Sequence, residues 1–222
     1  MNAMSSPVAS ASAPSPAPRP TDSATVTHPW RLGPDAPQSH KPWLRALGWF
    51  LMQRAGWSFS GQMPNLPKFV CIVAPHTSNW DFPVGLAAKW ALGFDAHWWG
   101  KDTLFTPPLG WFMRANGGIP VVRSNKNNAV ERTVELARTR LHFALALAPE
   151  GTRKKVSTWR SGFWHVAKGA GIPIVLVALD WEHKLVRLGP TVTPDEDDPA
   201  DGIARIRAMY EGIRGYDPSR QG

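Results

Sequence analysis

Cysteine is almost missing from this 222-residue chain: Cys71 stands alone. A single thiol excludes an intramolecular disulfide and any cysteine-rich metal site. It lies in the apolar run Phe69-Val70-Cys71-Ile72-Val73, where a thiol behaves as a small buried hydrophobe. Charged residues are also scarce, at 19%, which is low for a soluble protein. The first thirty residues lack a basic start followed by a continuous apolar stretch, so no secretory signal is expected. No run of about twenty uninterrupted apolar residues occurs, so no transmembrane span is expected. Apart from His76, the histidines are scattered without ligand spacing, so no metal is expected. No Gly-x-Ser-x-Gly frame surrounds Ser161 or any other serine, which argues against a serine hydrolase. Nucleic-acid recognition motifs are absent as well, so nucleic acid is not an expected partner. A cytoplasmic protein, soluble or peripheral, fits these absences.

What the chain has in excess is tryptophan and positive charge. It holds twelve tryptophans, amphipathic rings favoured where a surface meets lipid headgroups. The net charge of +8 is unevenly placed. Residues 41–194 carry nineteen Lys/Arg against eight Asp/Glu, giving +11, whereas residues 195–222 carry four against seven, giving −3. The middle of the chain therefore suits an anionic partner by charge alone: a lipid headgroup, a phosphorylated substrate or nucleic acid.

Residues 1–40 are rich in Pro, Ser and Ala and nearly free of apolar bulk, which predicts a disordered tail. Residues 41–62 then turn abruptly apolar. The helix expected there is apolar almost all round with Arg45 and Arg54 near its ends, a pattern that suits shallow burial in a bilayer with the arginines snorkelling to water, or packing on the domain. From residue 63 to residue 216 apolar strand-like runs alternate with helical ones, followed by a short tail at 217–222. Strands are expected at Phe69–Ala74, Ala96–Trp99, Ile119–Arg123, Phe143–Ala148, Ile172–Leu179 and Leu185–Leu188. Helices are expected at Pro83–Leu92, Leu104–Ala115, Ala129–Leu141 (with Asn127 or Asn128 as N-cap), Ser161–Ala170 and residues 201–214. Such alternation predicts an α/β fold with a mostly parallel central sheet flanked by helices.

Four segments carry chemistry. Pro75-His76-Thr77-Ser78-Asn79-Trp80-Asp81 follows an apolar strand directly. In one straight helix His76 and Asp81 would diverge by about 140°. With His76 on a loop and Asp81 in the first helical turn, the carboxylate can fold back onto one imidazole nitrogen and leave the other free to take a proton. Ala148-Pro149-Glu150-Gly151-Thr152-Arg153 also follows a strand, on the edge where α/β sheets bind ligands, and Arg153 can clamp a phosphate. Gly117-Gly118-Ile119-Pro120-Val121-Val122-Arg123 is a glycine-led strand ending in a cation. Gly171-Ile172-Pro173-Ile174-Val175 is a strand opened by proline.

In this order on successive strands, the four segments resemble the phospholipid/glycerol acyltransferase family, which includes the lysophosphatidic acid acyltransferases, over roughly residues 70–180. The resemblance implies that His76 is the general base on an acceptor hydroxyl and that Asp81 orients it. It also implies that Glu150, Gly151, Thr152 and Arg153 bind the acceptor, that Arg123 contributes to holding a glycerol phosphate, and that Pro173 belongs to the acyl-donor side. Lys101, in the similar segment Gly100-Lys101-Asp102-Thr103-Leu104-Phe105, is a further substrate-phosphate candidate. The chain departs from many members at Ala148, where an aromatic residue is usual, and at Val122, where a polar one is usual. The implied reaction moves a fatty acyl group from acyl-CoA or acyl carrier protein to a lysophospholipid hydroxyl, with 1-acylglycerol-3-phosphate first among acceptors, at the cytoplasmic face of a membrane and without a cofactor. The alternatives are the same chemistry on another acceptor, such as a lyso-aminolipid, and a non-catalytic basic membrane-binding protein.

Overall fold

The computed structural model describes residues 32–121, 126–194 and 198–221. Seven strands form one sheet: β1 (Ser58–Gly61), β2 (Lys68–Ala74), β3 (His97–Lys101), β4 (Gly118–Val121), β5 (Phe143–Leu147), β6 (Ile174–Asp180) and β7 (Leu185–Val192). Their spatial order is β1-β7-β6-β2-β5-β3-β4. Every neighbouring pair is parallel except β6 and β7. The expected mostly parallel α/β sheet is therefore the fold observed.

The helices are α1 (Pro42–Arg54), α2 (Asp81–Leu92), α3 (Leu109–Ala115), α4 (Lys126–Thr139), α5 (Gly162–Ala170) and α6 (Pro199–Ala208). The central strands are apolar at consecutive positions because both of their faces are covered. Alternate residues serve opposite layers. Val70, Ile72, Ile174 and Leu176 pack with Phe163 and Trp164 of α5 and Ile203 and Ile206 of α6. Phe69, Cys71, Val175 and Val177 pack with Met52 of α1 and Ala87, Ala88 and Ala91 of α2.

The first helix settles onto α2 through small residues. A Cβ on Gly48 would stand 2.3 Å from the backbone nitrogen of Ala91, so only glycine allows the two axes to come this close. Met52 is buried one turn further on. The opposite stripe, Trp43, Leu47, Phe50 and Leu51, is exposed, with Trp43 at 66% and Phe50 at 58%. The apolar girth read from the sequence thus divides into a packed side and an open side. No helix among the described residues is long and apolar enough to cross a membrane.

Several expected boundaries change. Residues 32–40 are held against the domain instead of trailing from it: Gln38 bridges to Phe94, Ser39 N–H donates to the Gly93 carbonyl at 2.8 Å, and Ala36 is buried. The interfacial segment does not run to residue 62, because Ser58–Gly61 is a strand pairing with Leu185–Leu188. The C-terminal stretch is also engaged, as Gln221 Oε1 accepts from Gly215 N–H at 3.0 Å. Neither Asn127 nor Asn128 caps α4, which already begins at Lys126. The last helix ends at Ala208, six residues earlier than expected, and gives way to turns.

Candidate active site

The C-terminal edge of the parallel strands collects the chemistry. Strand β2 delivers Pro75 and His76, and α2 starts at Asp81. The intervening loop bends the chain so that His76 Nδ1 lies 3.0 Å from Asp81 Oδ2. The same oxygen accepts the backbone N–H groups of Thr77 at 2.9 Å and Ser78 at 2.8 Å. Asp81 is almost fully buried, and three hydrogen bonds on one oxygen and the positive N-terminal end of α2 offset its loss of contact with water. Trp181, just past β6, donates its indole N–H to the other oxygen, Oδ1, at 2.8 Å. With Nδ1 engaged, Nε2 is the nitrogen left for a substrate proton.

Glu150 approaches from the loop after the neighbouring strand β5. Its Oε1 accepts the His76 backbone N–H at 2.8 Å. Expected as an acceptor-binding residue, Glu150 has its carboxylate buried against the loop that carries His76 and fastens that loop. Burial pushes its carboxyl upward from the usual glutamate range, opposed in part by hydrogen bonds from the backbone. Its Oε2 is buried with no hydrogen-bond partner among the described residues.

A cavity of about 950 Å³ opens beside the dyad, bordered by His76, Asn79 and Asp81. That volume lies at the upper end of the range for ligand sites, about 300–1,000 Å³. Between α2 and the sheet its walls are mostly apolar, with Cys71, Val73, Leu92, Phe94, Val177 and Leu179 among them beside Lys89. The Cys71 thiol is pushed to about 12 by burial, which makes it an inert wall. Elsewhere the lining includes the cations Lys101, Arg153 and Arg160. Arg153 Nη1 donates to Asn79 Oδ1, which ties the loop after β5 to the loop after β2.

Gly151 and Thr152 also line this space. Gly151 sits at φ +63, and a Cβ there would come within 2.4 Å of Arg160 Nε. Glycine is needed twice over, for the left-handed backbone and for the passage of Arg160. Pro173 is not brought to this place. It precedes β6 at the other end of the sheet, where its carbonyl accepts from Val70 N–H. From there to Ala178, which pairs with Ala74, is five residues or roughly 17 Å along the strand. Arg123 lies outside the described residues.

Trp181 at the dyad and Arg160 at the cavity were not expected from the sequence. Trp181 is 100 positions from Asp81, and no local spacing links them. Arg160 had a weak signal, being a cation eight residues after the Pro149-Glu150-Gly151-Thr152 run, on the same long loop.

A family model described as acyltransferase matches residues 60–180, more than half of the chain. Among solved structures, the chain is similar to the 1-acyl-sn-glycerophosphate (LPA) acyltransferase PlsC from Thermotoga maritima, with a TM-score of 0.54 and 16% identity over 78% of this chain and 81% of that one. At that identity the likeness shows a shared fold. No curated protein matches the chain.

Proposed function

The chain belongs to the acyltransferase family, and from that premise we propose that it esterifies a lysophospholipid hydroxyl with a fatty acyl group taken from acyl-CoA or acyl carrier protein. The observation that carries this reading is the His76–Asp81 pair, joined at 3.0 Å and bordering a cavity with an apolar part and a cationic part. The reaction needs these three features. The acceptor hydroxyl gives its proton to His76 Nε2, and its oxygen attacks the thioester carbonyl carbon. Asp81 stabilises the imidazolium that forms. The tetrahedral oxyanion collapses, the C–S bond breaks, and the leaving thiolate takes the proton back from His76. Ester and thiol are the products, and the enzyme is unchanged.

The apolar walls suit acyl chains, and Arg153, Arg160 and Lys101 suit a phosphate. The acceptor is therefore assigned as 1-acylglycerol-3-phosphate, the substrate class in the name of the Thermotoga maritima protein. The open stripe Trp43, Leu47, Phe50 and Leu51 would rest on the membrane that supplies the lipid, as a peripheral contact. The test is thiol release from acyl-CoA and from acyl carrier protein across a panel of lysolipids on vesicles. Acceleration by 1-acylglycerol-3-phosphate above neutral or zwitterionic lysolipids is expected. Equal or greater acceleration by a lysolipid lacking a phosphomonoester would overturn the acceptor, and no acceleration by any would overturn the reaction.

A further inference from the structure

Both oxygens of the Asp81 carboxylate are occupied, and by different means. Oδ2 is held by His76 and by two amides of its own loop. Oδ1 has Trp181, from a strand end on the far side of β2. The indole has little freedom to leave. Its ring meets Trp57 edge to face at 4.9 Å and Tyr216 at 4.8 Å, and its backbone N–H donates to the Arg214 carbonyl at 2.9 Å. Trp181 does not line the cavity, so it stands behind the dyad with respect to substrate. An indole N–H is also a donor that never ionises near neutral pH.

We propose that Trp181 is a positioning residue for acyl transfer: through its N–H on Asp81 Oδ1 it moderates how strongly the carboxylate draws on the His76 ring, keeping Nε2 available as a base at neutral pH. The proposal rests on the reading of His76 as that base. A donor on a carboxylate disperses its charge and lowers its proton affinity. Without the Trp181 N–H, Thr77 and Ser78 still hold Oδ2 against His76, while Oδ1 is left bare. The more basic carboxylate then favours the imidazolium, and the acid limb of the rate profile moves to higher pH. The other ionisable groups on the elements around the dyad are Glu150, Arg153 and Arg160 from the loop after β5, Lys89 from α2, Lys101 from β3, His165 from α5, Glu182 beside the indole, and Arg214, Tyr216 and Asp217 from the C-terminal stretch. Tyr216 touches the indole, and a replacement of the same ring shape keeps that contact, so a limb displaced by such a replacement reports on the missing N–H.

The experiment replaces Trp181 with Phe, and separately with 3-benzothienylalanine, which keeps the indole shape with sulfur in place of N–H. Two quantities are read on the full-length protein: kcat for thiol release against pH, and NMR titration of the His76 ring, assigned by its loss in His76→Gln. In both variants the limb and the ring titration are expected to move up by about half to one pH unit. Turnover below the limb should fall by about three- to tenfold, recover above it, and leave the thioester KM in place. If Trp181→Phe does not fold, the isosteric variant decides alone. A limb and ring titration that stay put or move down overturn the proposal, as does a loss of turnover equal at every pH. Retained turnover in His76→Gln would overturn the base assignment and this proposal with it. An inactive His76→Gln beside an unshifted Trp181 variant would overturn only the role of Trp181.

Discussion

Replacing Asp81 with Asn probes the charge of the dyad with little change of shape. The amide can present its oxygen toward His76, Thr77 and Ser78, which together make three hydrogen bonds to Oδ2. Its NH2 group then confronts the Trp181 N–H at the old Oδ1 position, one donor–donor clash instead of three. Losing a hydrogen bond to a charged group there costs about 1.5–3 kcal/mol of stability. The catalytic loss has another origin. At 3.0 Å a carboxylate and an imidazolium attract by about 5 kcal/mol at an effective dielectric of about 20. The His76 side chain is 25% exposed, so water screens part of this, and about 3 kcal/mol of transition-state stabilisation is expected to vanish. That is roughly a hundredfold in kcat. The assay is stopped-flow detection of free thiol from acyl-CoA, run with circular dichroism to establish the folded fraction. A folded Asp81→Asn protein turning over within about threefold of the parent would refute the reasoning, since the carboxylate charge would then contribute almost nothing.

Three further outcomes are expected. Arg153→Ala should raise the acceptor KM by about tenfold with kcat largely kept, through loss of a charge-assisted phosphate contact; steady-state kinetics with an unmoved KM would argue for an uncharged headgroup. Gly151→Ala should cost about 1–3 kcal/mol through its positive φ and the displaced Arg160, read as a lower denaturation midpoint together with a weaker acceptor KM; a variant matching the parent in both would remove the argument about that loop. Trp43→Ser with Phe50→Ser should weaken sedimentation with phosphatidylglycerol vesicles while the melting temperature holds, because both rings are exposed; unchanged partition would leave α1 a purely structural helix.

Much of the fold was legible because the information was local. Consecutive apolar residues in Phe69–Ala74 and Ile172–Leu179 announce strands covered on both faces, and the helix stop at Gly93 follows from its left-handed backbone. The dyad was legible for the same reason: His76 and Asp81 share one short loop. What escaped depends on contacts between distant segments. Ser58–Gly61 has four residues, too few to show a period, and becomes a strand only because Leu185–Leu188 lies alongside. Residues 32–40 look compositionally unstructured, yet Asn65 ties down Asp35 with two hydrogen bonds. Glu150 reads as a ligand-facing carboxylate until the fold sets it under the His76 amide. Pro173 followed from likeness of motif order alone, and the sheet direction puts it at the wrong end.

The central claim is that the His76 imidazole removes the acceptor proton during acyl transfer. Its most direct test is the single-turnover rate of ester formation by His76→Ala, with acyl-CoA and 1-acylglycerol-3-phosphate both saturating and lipid binding measured in parallel. A rate lower by about 10²–10⁴ with vesicle binding intact is the outcome this account predicts. Ester formation at nearly the parent rate by a folded His76→Ala protein would contradict it.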